Sequence, residues 1–157
     1  MPSVLITGAN RGIGLEFARQ YLADGWQVYA ACRDPDSASE LRRLAQASDD
    51  DLRILALDVT YPETVNAAAA ELDGQAIDLL LNNAGVGGPR GQTIGNIDYK
   101  AWAKVLDVKD PCGLQRRLLT MWHEASASLS SPSPAAWVRL PTILLEAHLP
   151  IAVRRLR

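Results

Sequence analysis

The run Leu5-Ile6-Thr7-Gly8-Ala9-Asn10-Arg11-Gly12-Ile13-Gly14 constrains this chain more than any other stretch. An apolar segment too short for a helix leads into it, and a helical pattern leaves it. Glycine at such a strand-to-helix corner tolerates positive φ and removes the Cβ that would keep a ligand from the backbone. The helix that opens here presents unpaired N–H groups and the positive end of its dipole, an arrangement that suits a phosphate. The alternative is a glycine-rich turn that holds no ligand.

At 157 residues, 48% hydrophobic and with a net charge of -2, the chain reads as one soluble globular domain. That charge gives no reason to expect nucleic acid as a partner, and no apolar stretch is long enough to span a membrane. With a strand expected within three residues of the N-terminus, no signal peptide is expected. The two cysteines, Cys32 and Cys112, fit an intracellular protein rather than a disulfide framework. His123 and His148 have no neighbouring ligand cluster, so no metal site is expected. The expected location is cytoplasmic.

Along the chain, Val4 to Ile6 reads as a buried strand, and Ile13, Phe17, Tyr21 and Leu22 recur at helical spacing until Gly25. Trp26 to Ala31 is a second strand, closed by Cys32-Arg33-Asp34-Pro35. Ser37 and Glu40 suggest a capping box for a helix carrying Leu41 and Leu44. Leu52 to Leu57 is a third strand. Thr60 and Glu63 suggest another box, with Pro62 in the first turn of a helix that runs to Leu72 before Gly74. A fourth strand, Ile77 to Leu81, runs into Asn82-Asn83-Ala84-Gly85. The Gly-rich segment Val86 to Asn96 reads as a mobile connection, after which Asp98 caps a helix bearing Trp102, Val105 and Leu106.

Strands alternating with helices predict an α/β fold, a doubly wound parallel sheet covered on both faces. Ligands of such sheets lie beyond the carboxyl ends of the strands, where the glycine corner, Arg33, Asp58 and the Asn-Asn-Ala-Gly run all fall. Three of these segments in order, Thr7-Gly8 to Gly12-Ile13-Gly14, Asp58-Val59, and Asn82-Asn83-Ala84-Gly85, resemble the short-chain dehydrogenase/reductase family. Asn10-Arg11-Gly12, Cys32-Arg33-Asp34-Pro35 and Leu57-Asp58-Val59-Thr60 most resemble its carbonyl-reductase and C-factor-like members. The resemblance covers residues 3 to about 108 and implies a Rossmann-like fold and an oxidoreductase that acts on a carbonyl or alcohol. It implies that Gly8, Gly12, Ile13 and Gly14 hold the pyrophosphate of a dinucleotide, with Asn10 and Arg11 of the same loop also cofactor-binding. Asp58 and Val59 would border the adenine, and Asn82, Asn83, Ala84 and Gly85 the ribose and nicotinamide.

A carboxylate at the end of the second strand would accept the 2′-OH of NAD(H), whereas arginine there suits the 2′-phosphate of NADP(H). Arg33 and Arg11 favour NADP(H). In the alternative both are solvated surface charges and Asp34 still reaches the ribose. Asp58 has a plainer reading as a turn former, Asn82 and Asn83 as groups that satisfy loop backbone, and Cys32 as packing.

From Lys109 the pattern changes. Pro111, Pro132, Pro134, Pro141 and Pro150 crowd the remainder, Ser126 to Pro134 reads as a loop, and no strand-helix alternation continues. The domain division expected is therefore a dinucleotide-binding half, 1–108, and an atypical tail, 109–157, of a truncated sheet with an open edge. The family resemblance implies a helix Asn, a catalytic Ser and Tyr-x-x-x-Lys in this region. Lys109 stands where the Asn is expected and no tyrosine follows Tyr99, so no catalytic residue is assigned. A shifted reading frame would account for this. With suitable codons, Pro150 to Arg155 read from the third base gives Tyr-Arg-Gly-Ser-Lys, and coding DNA requiring other bases would exclude it. Alternatives to an active reductase are a non-catalytic NADP(H)-binding or signalling module and an inactive product. Family members usually oligomerise through helices that begin near Trp102, and oligomerisation by that route is not expected of this chain.

Overall fold

Val4, Leu5 and Ile6 are too short a run to shield themselves, so their burial requires cover on both sides, and the fold supplies it. In a computed structural model, which describes residues 1–72, 74–109 and 143–144, five parallel strands stand in the order β3-β2-β1-β4-β5. They are β1 (Ser3–Thr7), β2 (Gln27–Cys32), β3 (Leu52–Ala56), β4 (Leu79–Asn82) and β5 (Ile143–Leu144). The helices are α1 (Gly12–Ala23), α2 (Ser39–Gln46), α3 (Pro62–Glu71) and α4 (Tyr99–Lys109).

Alternate side chains of β1 point to opposite faces, as the period of a strand dictates. Val4 and Ile6 pack with Leu15 and Ala18 of α1 and Leu41 of α2. Leu5 packs with Val65, Ala68 and Ala69 of α3 and with Leu72 just beyond it. The sheet is thus doubly wound, as expected. The register pairs Leu5 with Tyr29 on one side and Leu80 on the other, so β1 lies at the centre. From β1 the chain builds outward through β2 and β3, then returns to place β4 on the opposite side of β1. The order reverses between β1 and β4, and in sheets of this kind the ligand crevice lies at that switch point, beyond the carboxyl ends of the strands.

Some local expectations need correction. Neither anticipated capping box forms, and the N-caps of α2 and α3 are Ala38 and Tyr61 with no side-chain cap. Ser37 is captured instead by Asp34, whose Oδ1 accepts the Ser37 N–H at 3.3 Å while Ser37 Oγ donates to the Asp34 carbonyl at 3.1 Å. Thr60 is captured by Asp58, whose Oδ1 accepts both the Thr60 N–H and the Thr60 hydroxyl. Asx-type turns at the strand exits compete with the caps and win. Asp98 does cap α4, its Oδ1 accepting the Ala101 N–H at 3.0 Å. Ile13 is not part of the core face of α1, being 51% exposed where the helix starts at the sheet edge; Leu15 and Ala18 are buried instead. Of the residues after Lys109, those described are Ile143–Leu144, which add β5 to the sheet by pairing Ile143 with Leu81 and Leu144 with Asn82. The anticipated loop Ser126 to Pro134 and the region of the missing catalytic residues lie outside the described residues. Among the described residues no helix is long and apolar enough to cross a membrane.

Candidate functional site

The crevice is bounded by two turns that hold each other. Thr7, the last residue of β1, is buried after the apolar run Val4 to Ile6. Its Oγ1 accepts the Asn83 N–H at 3.1 Å and the Ala84 N–H at 3.0 Å, and donates to the Leu81 carbonyl at 3.3 Å. Asn83 returns the contact through Nδ2, which donates to the carbonyls of Thr7 at 3.0 Å and Gly8 at 3.1 Å. Buried backbone groups that leave a strand need partners, and here each turn supplies the other's.

This interlock explains two glycines. A Cβ on Gly14 would overlap the Gly8 carbonyl oxygen and Asn83 Nδ2. Gly8 has φ +67°, and a Cβ there would sit 2.9 Å from the Cα of Ala84. Gly12 differs: its φ is +57°, and a Cβ would meet nothing within 4 Å. The first bond of α1 runs from the Leu15 N–H to the Arg11 carbonyl at 3.4 Å, so the N–H groups of Gly12, Ile13 and Gly14 precede the helical ladder. No side chain caps them and no acid lies in the first turn. Uncapped donors, a favourable dipole end and open space before Gly12 make a cradle that fits a diphosphate.

The other sequence-derived residues line the same ends of the sheet. Asn10 is half-buried, and Arg11 is the exposed extended residue that precedes α1. Arg33 follows β2 directly and is exposed, and neither arginine has an ion-pair partner among the described residues. The Asp34 carboxyl is held below the ordinary carboxylate range by its hydrogen bonds from Ser37. Burial pushes the Cys32 thiol up, in keeping with a packing role at the end of β2.

After β3, Asp58 Oδ1 accepts the Thr60 N–H at 2.9 Å and the Thr60 hydroxyl at 2.7 Å. Thr64 Oγ1 accepts the Asp58 N–H at 3.1 Å and donates to its carbonyl at 2.7 Å. Val59 packs against the α3 side of the core. After β4, Asn82 Nδ2 is buried without a hydrogen-bond partner among the described residues, while Gly85 is exposed.

Three residues of this region were not singled out from sequence. Thr7 was signalled by being polar at the end of a buried strand; Thr64 carried no signal beyond its place in the first turn of α3. Trp102, placed from sequence on one side of α4 with Val105 and Leu106, is 42% exposed and donates its indole N–H to Gln92 Oε1 at 2.8 Å. The described residues contain no group of three or more side chains able to hold a metal ion.

A doubly wound parallel sheet with a glycine corner at its switch point defines the dinucleotide-fold class. A family model described as short chain dehydrogenase matches residues 2–109, and the chain belongs to that family. The family expected from the three motifs is thereby borne out. A (+)-neomenthol dehydrogenase from Arabidopsis thaliana is 38% identical over 90 residues, which cover 54% of this chain and 30% of that protein. The NADPH-bound carbonyl reductase from chicken fatty liver matches with 41% identity and a TM-score of 0.69, over 77% of this chain and 51% of that one. A carbonyl reductase from Pseudomonas aeruginosa PAO1, in complex with NADP, matches with 33% identity and a TM-score of 0.72, over 77% and 56% respectively. The chain spans about half the length of these solved structures and about a third of the plant enzyme.

Proposed function

We propose that the chain binds NADP(H) across the crevice between β1 and β4 and provides the cofactor half of an oxidoreductase that reduces a carbonyl or oxidises an alcohol. The observation that carries this reading is the uncapped start of α1 with open space before Gly12, beside a turn locked to Asn83. In this reading Gly8, Asn10, Gly12, Ile13 and Gly14 hold the pyrophosphate. Arg11 and Arg33 take the 2′-phosphate, Asp58 and Val59 border the adenine, and Asn82, Asn83, Ala84 and Gly85 face the ribose and nicotinamide. NADP(H) is preferred to NAD(H) because Arg11 and Arg33 are exposed and unpaired among the described residues, while Asp34 is engaged by Ser37. The NADPH and NADP bound in the two carbonyl reductases lend support.

Bound there, the cofactor would supply or accept a hydride. The chain's own residues orient it: α1 with its N–H groups, the arginines by charge, and Asn83 by fixing the turn. Residues 1–108 form the binding unit in this proposal, with a cytoplasmic location, and 109–157 form an atypical tail from which Ile143–Leu144 adds β5 to the sheet.

No catalytic residue is assigned, because no tyrosine follows Tyr99 within the 157 residues. That observation favours a second reading, a module that binds NADP(H) without turnover. Titration with NADPH and NADH, followed by an NADPH-oxidation assay with reactive aldehydes, separates the readings. Binding with turnover supports the oxidoreductase, and binding without turnover supports the module. Failure to bind either cofactor removes both.

A further inference from the structure

The segment between β4 and α4 carries Gly85, Gly87, Gly88, Gly91 and Gly95 and contributes no residue to the buried core. Backbone of that composition has little packing of its own to fix its path. Its shape is tied at two points by one side chain. The Trp102 indole N–H donates to Gln92 Oε1 at 2.8 Å, and the same ring closes over Gly88, where a Cβ would lie 3.2 Å from Cη2 and 3.3 Å from Cζ2.

Trp102 is itself held. Its backbone N–H donates to the Asp98 carbonyl at 3.1 Å, Asp98 caps the helix, and Val105 one turn on is 3% exposed. Asparagine and serine cannot substitute for such a tether, because only a long aromatic with a polar edge covers a glycine and reaches a partner at once.

Gly88 lies four residues beyond Ala84, which packs against Gly8. Even a fully extended chain would keep it within about 14 Å of that contact. The tethered segment thus follows directly from the β4 turn, on the side given above to the nicotinamide.

We infer that Trp102 is a positioning residue: by clamping Gly88 and Gln92 it sets the path of residues 85–96, and so shapes the nicotinamide and substrate end of the site. The inference rests on the proposed dinucleotide site and deepens it.

The test uses the full chain labelled with 5-fluorotryptophan, the Trp102 resonance being assigned with Trp102→Phe, and two probes. NADP⁺ carries the nicotinamide; 2′,5′-ADP carries only the adenosine end. Addition of NADP⁺ is expected to shift the Trp102 resonance, and 2′,5′-ADP to bind without shifting it. Trp102→Leu is expected to weaken NADP⁺ roughly tenfold, through the added cost of ordering the segment, and to leave 2′,5′-ADP within about twofold. Gln92→Leu, which removes only the hydrogen bond, is expected to give a smaller loss of the same kind.

A loss shared equally by both probes would mark Trp102 as a general packing residue and overturn the inference. An unmoved Trp102 resonance with NADP⁺ bound would overturn it as well. If neither probe binds the wild-type chain, the site itself is misassigned and the inference falls with it, an outcome distinct from the other two.

Discussion

The two sides of the crevice are built differently. On the β1–β4 side, backbone and side chain interlock: Thr7 holds the Asn83–Ala84 turn, Asn83 holds the Gly8 turn, and Gly14 leaves room for both. On the β2 side, Arg11 and Arg33 stand exposed, without ion-pair partners among the described residues. The first side joins the fold to the site, so damage there appears first as lost stability. The second can change without disturbing any buried contact, so damage there appears only as altered ligand preference. Under the proposed function, a site assembled this way can alter its choice of cofactor while its phosphate cradle stays fixed.

The sharpest way to break that contrast is Gly14→Ala. The added methyl meets a carbonyl oxygen and an amide that are themselves hydrogen-bonded, and overpacking of this kind costs about 3 kcal/mol. Urea denaturation should show a correspondingly lower midpoint; an unchanged midpoint would mean that the two turns are not rigidly coupled. Thr7→Val comes next. It keeps the shape of the side chain but strips the acceptor from two N–H groups, for a loss of about 2 kcal/mol in the same measurement. Should Thr7→Val prove neutral, water must serve those donors and the interlock is looser than its geometry implies.

The same contrast bears on what could be read from sequence. The interlocked side was legible because its demands on the chain are strict: strands buried on both faces read as short apolar runs, and glycines mark close approach. Leu5 to Gly14 and Asn82 to Gly85 therefore marked the two turns that interlock at the carboxyl ends of β1 and β4, without any knowledge of strand order. The partnership of Thr7 with Asn83 was not legible, since it spans 76 positions and depends on β4 lying beside β1. The helix starts failed for a local reason. Ser37 and Thr60 each had two potential partners, a helix N–H ahead and an aspartate behind. Only the chain's path out of β2 and β3 decided for Asp34 and Asp58. Ile13 has the right spacing for the face of α1 yet stands at the end that overhangs the sheet.

On the exposed side the expected effects are smaller and specific to the ligand. Under the proposed assignment, Arg33→Ser removes a charge-assisted contact to the 2′-phosphate and should weaken NADP⁺ roughly tenfold. NAD⁺ affinity and the urea midpoint should stay unchanged, because Arg33 supports no buried group. An equal loss for both cofactors would place Arg33 against the shared diphosphate rather than the 2′ position.

The smallest effect expected is a pH dependence, and its sign follows from the charges. A phosphate monoester loses its second proton near pH 6, so the 2′-phosphate passes from dianion to monoanion as pH falls through that value. Asp34 does not titrate there, since the Ser37 hydrogen bonds hold its carboxyl below the ordinary range. If Arg11 and Arg33 prefer the dianion, NADP⁺ affinity is full above pH 6 and falls by about threefold towards pH 5, as expected for a surface charge pair. NAD⁺, which lacks the 2′-phosphate, should show no such change, and Arg33→Ser should flatten the NADP⁺ profile. Calorimetric titrations at pH 7.5 and 5 test this with the same protein and both cofactors. A fall shared by NAD⁺ would place the titrating group on the protein, and the exposed side would then be tied to the fold after all.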